Sequence, residues 1–175
     1  VFDATAGLGR DAFLLAERGF RVTAFERNPL VFELLNDAVR RAIRYPELRA
    51  LFESRLKFEA GNAEDQLLAW VGTPPDVILV DPMFPERSDS ALVKQDLRLL
   101  QRLIGADEPE RLLAAARRVG AKRVVVKRML DSPRIADDVS FSVGAKTARF
   151  DVYVAASTAS APVDDPASRT SGEHL

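Results

Sequence analysis

Residues 3–11 read DATAGLGRD, a candidate glycine turn between a short apolar run and a helical pattern. Because glycine has no side chain, Gly7 and Gly9 allow the backbone to turn tightly and to approach a ligand closely. The helix that follows such a turn offers unpaired N–H groups to an anion, such as a carboxylate or a phosphate. The stretch therefore predicts a strand, a ligand-binding turn and a helix, in that order.

Outward from this turn, short β-rich runs alternate with longer helical patterns, which predicts an α/β fold with a mostly parallel sheet. Strands are predicted at residues 1–4, 21–25, 56–59, 77–80, 123–126, 139–143 and 149–154, the last two as an antiparallel closing pair. Helices are predicted at about residues 11–17, 29–43, 64–70, 90–103 and 109–119. Pro29 suits the first turn of its helix, with Asn28 as the cap. The pattern indicates a doubly wound, seven-stranded sheet with helices on both faces.

The chain of 175 residues fits one domain, which we place at residues 1–155. Residues 156–175 are rich in Ala, Ser, Thr, Pro and Asp and offer little to bury, so they are predicted to form a disordered tail. Because the chain opens inside its first predicted strand, we expect that a segment upstream of it is missing.

The composition excludes several classes of protein. With 47% hydrophobic and 29% charged residues, it is typical of a soluble globular protein. No apolar run approaches the roughly 20 residues that a membrane span needs. The chain has no cysteine, and its one histidine is His174, so neither disulfides nor a zinc site are expected. These features favour a cytoplasmic protein with no membrane or metal partner. The net charge of −1 does not by itself indicate a nucleic-acid partner.

Glu26 ends the second predicted strand, where an acidic side chain can accept both hydroxyls of a ribose. With Gly7, Gly9 and Ala12 it also satisfies the dinucleotide fingerprint G-x-G-x-x-A followed by an acid about 20 residues on. The site therefore suits an adenosine-containing cofactor, either a dinucleotide or S-adenosylmethionine. Asp3, four residues before Gly7, favours S-adenosylmethionine, since methyltransferase glycine motifs carry an acid there.

Residues 81–85 read DPMFP, directly after the fourth predicted strand. The Asp81 carboxylate and the Pro82 carbonyl can both accept hydrogen bonds from an amine, which directs the nitrogen lone pair at a methyl donor. Phe84 can stack on a base. The motif resembles the D-P-P-Y/F signature of methyltransferases that act on exocyclic amines of bases, with Met83 in place of the second proline.

Residues 59–64, which read EAGNAE, follow the third predicted strand, where related folds contact the adenine edge. Asn62 could hydrogen-bond the adenine amino group, and Ala63 leaves room for the ring. Any capped helix start has a similar sequence, so this prediction depends on the position of the residues in the fold.

Five stretches together resemble the bacterial small-subunit ribosomal RNA guanine-N2 methyltransferases, which have the Rossmann-like fold of class I S-adenosylmethionine-dependent enzymes. They read DATAGLGRDAFLLA, ERNPLVFELL, VDPMFPERSDSALVKQDLRLLQRLIG, KRVVVKR and ARFDVYVA, and they span roughly residues 1–155. The resemblance implies cofactor contacts at Arg10, Asp11, Glu26, Arg27, Ala63, Glu64 and Asp81. The chain departs from the family at two places. The family often has small hydroxyl residues where this chain has Ala63 and Glu64, and it usually reads K-R-P where this chain has Lys127-Arg128-Met129.

The resemblance implies methylation of guanine N2 in 16S ribosomal RNA, free or within the small ribosomal subunit. The hypothesis is an in-line displacement in which N2 attacks the methyl carbon and S-adenosylhomocysteine leaves. Asp81 would orient the amine and stabilise its developing charge. Lys94, Lys127 and Arg128 are the candidate contacts to RNA phosphates.

From the DPMF motif alone, adenine N6 or a protein amide is also possible as the target, and only the resemblance selects guanine N2. Two functions of other kinds remain open as well. A Rossmann-like NAD-dependent oxidoreductase would bind a nicotinamide cofactor, although the sequence has no histidine or Tyr-x-x-x-Lys pair placed for hydride transfer. A non-catalytic RNA-binding or ribosome-assembly factor would bind RNA without cofactor. The acids Asp3, Glu26 and Asp81 argue against that second alternative.

Overall fold

The computed structural model describes residues 1–82 and 108–155, and its strands form one seven-stranded sheet. The strands are β1 (Phe2–Asp3), β2 (Val22–Glu26), β3 (Leu56–Ala60), β4 (Val77–Val80), β5 (Arg123–Met129), β6 (Phe141–Gly144) and β7 (Ala148–Val154). The helices are α1 (Arg10–Glu17), α2 (Pro29–Ala42), α3 (Pro46–Ser54), α4 (Ala63–Leu68) and α5 (Pro109–Arg118).

The strand order is β3-β2-β1-β4-β5-β7-β6. The first five strands are parallel, and β7 pairs antiparallel with both β5 and β6. This confirms the mostly parallel α/β sheet and its antiparallel closing pair. The chain leaves β1 towards β2 and β3 on one side and later returns to β4 on the other. Such a reversal of strand order opens a crevice at the carboxyl ends of β1 and β4.

Apolar clusters on the two faces of the sheet hold the helices in place. On one face, strand residues such as Ile78 and Val126 pack with Leu67 of α4 and Leu113 of α5. On the other face, residues of α1 and α2, among them Ala12, pack against β2 and β3. Burial of apolar side chains on both faces stabilises a three-layer arrangement, which confirms the predicted placement of helices.

Local signals explain where the helices begin. Asn28 caps α2, because its Oδ1 atom accepts from the N–H groups of Leu30 and Val31, and Pro29 occupies the first turn. The helix α3 was not predicted. Its Leu48, Leu51 and Phe52 do have the i, i+3, i+4 spacing of a helix, although none of its nine residues is fully buried.

Two predicted segments lie outside the described residues: the helix at 90–103 and the tail at 156–175. Within residues 1–82 and 108–155, none of the helices has the length and apolar content that crossing a bilayer requires.

Candidate functional site

The glycine turn is hydrogen-bonded to the two strands that flank β1. The Ala4 N–H donates to the Leu79 carbonyl at 2.9 Å, and the Ala6 N–H donates to the Phe25 carbonyl at 3.0 Å. The turn is therefore tied both to β4 and to β2. This places residues 3–11 at the crevice where α/β sheets bind ligands.

Two positive φ angles shape the turn. Gly7 has φ 54° and Gly9 has φ 75°, the left-handed region that glycine adopts without strain. A Cβ atom on Gly9 would stand 2.7 Å from Phe58 and 2.9 Å from Leu35, so the position also requires the absence of a side chain. Gly9 is the N-cap of α1, and no side chain caps that helix. The first-turn amides of α1 can therefore receive an anionic group of a ligand.

Glu26 is buried at the end of β2, with 7% of its surface exposed. Its Oε2 atom accepts from the Gly7 N–H at 2.8 Å, and its Oε1 atom accepts from the Asn28 N–H at 2.7 Å. These bonds fix the carboxylate against the glycine turn. A buried carboxylate at the end of this strand has the chemistry that suits the hydroxyls of a ribose. Arg27 follows and is partly buried.

Asp3 ends β1 and is 2% exposed. Burial raises its pKa to about 6, and the negative charges of Asp11 and Asp81 act in the same direction. Its Oδ1 atom accepts from the Thr5 N–H at 3.0 Å. The three carboxylates therefore lie close enough to influence one another.

Asp81 follows β4 and is held at both its backbone and its side chain. Its N–H donates to the Thr5 hydroxyl at 2.7 Å. Its Oδ2 atom accepts from the Lys127 ammonium at 2.7 Å, and the same ammonium donates to Asp11 at 3.0 Å. Pro82 is buried directly after it. Lys127 thus bridges Asp11 and Asp81, and Asp3 lies close enough to both acids to be influenced by their charges.

Lys127 is charged in this arrangement. Burial lowers the pKa of its ammonium, but the hydrogen bonds to Asp81 and Asp11 outweigh burial, and the pKa is raised from its ordinary value. The lysine therefore offsets part of the negative charge that the carboxylates concentrate at the sheet edge.

The end of β3 lies beside the turn, because the Gly61 N–H donates to the Glu26 carbonyl at 2.9 Å. Asn62 caps α4 by accepting from the Glu64 N–H, and Ala63 is buried. Glu64 is paired with Arg111 of α5 at 2.9 Å. The structure therefore assigns Asn62 a capping role, and its contact with adenine stays a prediction.

The predicted phosphate contacts are separated. Lys127 and Arg128 are adjacent in β5, so their side chains point to opposite faces of the sheet. Arg128 is 5% exposed and donates to the Pro133 carbonyl at 2.6 Å. Its side chain therefore lacks the open position that a phosphate contact needs. Lys94 and Phe84 lie outside the described residues.

Two further observations concern metal binding and a cavity elsewhere in the fold. No group of three His, Cys, Asp or Glu side chains in the described part of the chain is arranged to hold a metal ion. A cavity of about 350 Å³ lies at the opposite edge of the sheet, beside residues that begin strands, such as Val22 and Leu56. Because α/β sheets bind ligands at the carboxyl ends of their strands, we do not assign the cofactor to this cavity.

Sequence reasoning missed Thr5 and the position of Lys127. Thr5 links Asp3 to the backbone of Asp81, a contact between residues 76 positions apart that no local pattern predicts. For Lys127 a signal existed, because Val124 and Val126 predict by alternation that Lys127 points away from their face.

The chain matches known methyltransferases over most of its length. The family described as "Putative SAM-dependent methyltransferase" matches residues 1–155. The "Ribosomal RNA small subunit methyltransferase J" of Dechloromonas aromatica is 44% identical over 155 residues, which cover 87% of this chain and 63% of the relative. The protein of the same name from Aeromonas salmonicida is 47% identical over 161 residues, which cover 91% and 64%. The chain thus spans less than two thirds of these relatives.

A solved structure agrees with the fold. The SAM-dependent methyltransferase from Neisseria gonorrhoeae superposes with a TM-score of 0.68 at 39% identity, and the match covers 87% of this chain and 64% of that one. This likeness agrees with a class I S-adenosylmethionine-dependent methyltransferase fold.

Proposed function

The chain belongs to the S-adenosylmethionine-dependent methyltransferase family that matches residues 1–155, and from this membership we propose that it methylates small-subunit ribosomal RNA. The target that we propose is the exocyclic N2 amine of a guanosine in 16S RNA, free or within the small ribosomal subunit. The observation that carries the proposal is the position of Asp81, which stands beside the glycine turn with its carboxylate held by Lys127.

The residues present fit S-adenosylmethionine. This cofactor is an adenosine that carries a sulfonium cation and an amino-acid group. Glu26 is buried, with Oε2 bonded to Gly7 of the turn and Oε1 to Asn28, and its carboxylate suits the ribose hydroxyls. The uncapped start of α1, with Arg10 and Asp11, suits the amino-acid group. The negative charges of Asp3 and Asp81 suit a cation. Arg27, Asn62, Ala63 and Glu64 remain predicted contacts.

The proposed chemistry requires mainly positioning from the protein. S-adenosylmethionine supplies the activated methyl group when bound. The Asp81 carboxylate and the Pro82 carbonyl accept hydrogen bonds from the target amine, which aims its lone pair and stabilises the charge that develops on nitrogen. Guanine N2 is a poor base because its lone pair is delocalised into the ring, so this orientation matters more than proton removal before attack.

The RNA substrate is proposed from the names of the relatives, which are ribosomal RNA small subunit methyltransferases. A base must leave its stack to reach Asp81, and Phe84 is the residue that we propose as its stacking platform. Lys94 remains a proposed phosphate contact. We also propose a cytoplasmic location, where ribosomal RNA is assembled into subunits.

The first test is a calorimetric titration of the chain with S-adenosylhomocysteine, with NADH as the parallel ligand. Both ligands contain adenosine, so the comparison isolates the part of the site that differs between a methyltransferase and a dehydrogenase. We expect micromolar binding of S-adenosylhomocysteine and no binding of NADH. Binding of NADH alone would refute the proposal.

The second test measures transfer of labelled methyl groups to 16S RNA and to isolated small subunits. We expect one methyl group per RNA, located on a guanine N2 by nuclease digestion and mass spectrometry. RNA binding that is unchanged by cofactor, together with no transfer to either substrate, would indicate a non-catalytic binding factor instead.

A further inference from the structure

The end of β5 brings a lysine to the carboxylates at the crevice. Val126 pairs with Val80 across β4 and β5, so Lys127, the next residue of β5, stands beside Asp81, the residue that follows β4. Since side chains alternate along a strand, Lys127 points away from the face that buries Val126 and towards α1, where it contacts Asp11. The strand register therefore determines that Lys127 meets both acids.

One ammonium bridges two carboxylates at this point. Its Nζ atom is 2.7 Å from Asp81 Oδ2 and 3.0 Å from Asp11 Oδ2. The side chains of Lys127, Asp11 and Asp81 are 32%, 38% and 37% exposed, so solvent and salt screen these ion pairs less than they screen pairs on an open surface. An ammonium has three donors and can hold both acids at once.

The lysine also separates like charges. Asp3 lies behind the bridge, and its raised pKa reflects burial first and then the charges of Asp11 and Asp81. Without a cation between them, the two bridged carboxylates would repel each other, and the Asp81 side chain would favour protonation or rotation. A protonated or rotated Asp81 would no longer present the acceptor that the target amine needs.

We propose that Lys127 is a positioning residue for the methyl transfer, because its ammonium holds the Asp81 carboxylate ionised and oriented beside Asp11. This inference rests on the proposed function and reassigns Lys127 from a phosphate contact to the reaction site. Thr5 anchors the backbone of Asp81, and Lys127 adds the anchor on the side chain.

Lys127→Met in the full chain removes the charge and keeps the apolar stem. We expect kcat at neutral pH to fall at least about tenfold, because misplacement of a catalytic group by about 1 Å can cost more than that. The acid limb of the pH profile of kcat should move to higher pH, while the KM for RNA stays within about twofold. Lys122→Met is the matched control, since Lys122 precedes the same strand at its opposite end and pairs with the exposed Asp76.

The absence of cysteine from the chain allows a chemical rescue. Lys127→Cys introduces a single thiol, and its alkylation with 2-bromoethylamine places an ammonium at nearly the length of lysine. We expect this product to recover most of the lost kcat. Alkylation of the same variant with iodoacetamide gives a neutral side chain, and no recovery is expected.

The outcomes separate this inference from the proposed function. A wild-type chain that neither binds S-adenosylhomocysteine nor transfers methyl groups refutes the proposed function, and the positioning role with it. A wild-type chain that is active, beside a Lys127→Met variant with normal kcat, refutes the positioning role alone. Lys127 would instead be a phosphate contact if the Lys127→Met variant kept its kcat but had a raised KM for RNA. In that case the slope of log RNA affinity against log salt concentration would also fall by about 1.

Discussion

At the scale of single residues, Asp81 is the side chain on which the proposed chemistry depends. Its backbone is bonded to Thr5 and its carboxylate to Lys127, so its position is fixed before any substrate arrives. Preorganised groups of this kind lower the barrier of a reaction without further rearrangement.

Asp81→Ala removes the acceptor, and we expect methyl transfer to be abolished while the fold stays intact. The fold should tolerate the change because the side chain is partly exposed and lies after β4, not within it. Transfer of labelled methyl groups and circular dichroism measure the two effects. Asp76→Ala is the control, because Asp76 precedes the same strand and is exposed. Near-normal turnover in Asp81→Ala would contradict the assigned role.

Asp3 makes stability depend on pH in a direction opposite to that of most acids. Its folded-state pKa is raised from 3.8 to about 6, because burial penalises the charged carboxylate. Between these values the folded state binds more protons than the unfolded state, so its free energy of unfolding falls as pH rises from about 4 to 6. The cost is on the order of 3 kcal/mol when the group is fully ionised.

Asp3→Asn keeps the acceptor for the Thr5 N–H and removes the charge. We expect the variant to gain stability relative to the wild type as pH rises from about 4 to 6, and the gain to level off above about 7. Urea unfolding at several pH values measures the difference. Asp65→Asn, on an exposed position of α4, is the control for the general loss of one negative charge. A constant difference across this range would contradict the burial effect.

At the scale of elements, the start of α2 connects the strand β2, which ends at Glu26, to its helix. Asn28 accepts two backbone N–H groups through its side chain, and its own N–H donates to Glu26. The residue that caps α2 therefore stabilises the helix and also helps to hold the Glu26 carboxylate in place.

Asn28→Ala removes the side-chain acceptor of the cap. We expect a loss of about 1 kcal/mol in the free energy of unfolding, the usual cost of deleting an N-cap. Asn36→Ala is the matched control within the same helix, and it should be neutral or slightly stabilising because alanine has the higher helix propensity. Urea denaturation measures both variants, and equal effects would show that the cap has no special contribution.

At the scale of the whole molecule, the site is assembled from the ends of β1, β2, β4 and β5, which belong to both sides of the reversal in strand order. Unfolding separates all of these ends. A ligand that contacts them binds only the folded chain, so it should stabilise the entire domain.

S-adenosylhomocysteine at about 100 times its Kd should raise the free energy of unfolding by about 2.7 kcal/mol. For a chain of this size the corresponding rise in Tm is roughly 5–10 °C. Differential scanning calorimetry measures it, with NADH at the same concentration as the control. The same rise in Tm with NADH would argue against a site that is selective for S-adenosylhomocysteine.

Much of this molecule could be predicted from the sequence. The glycine turn, the apolar strand Val77–Val80 and the cap at Asn28 are local features, because each depends on residues that are near one another in the chain. Alternation of strands and helices then leads to a parallel sheet, since parallel neighbours need helical crossovers.

The contacts that assemble the site could not be predicted in the same way. Lys127 is 116 positions from Asp11 and 46 from Asp81. The charge pattern KR at residues 127 and 128 indicated a basic surface, whereas the sheet directs one side chain to the acids and buries the other. The helix α3, by contrast, was missed although its signal was local, because Leu48, Leu51 and Phe52 have helical spacing and Pro46 occupies the first turn.

The sequence by itself determined the elements, their order and the chemical types of the site residues, because hydrophobic periodicity, caps and turns act over a few residues. The tertiary structure alone decided which of those residues meet. The strand order puts β1 beside β4 and β4 beside β5, and the register of these strands brings Asp81 to Thr5 and Lys127. Pairing between distant strands is the physical reason, since it depends on the whole sheet and is not encoded by any single segment.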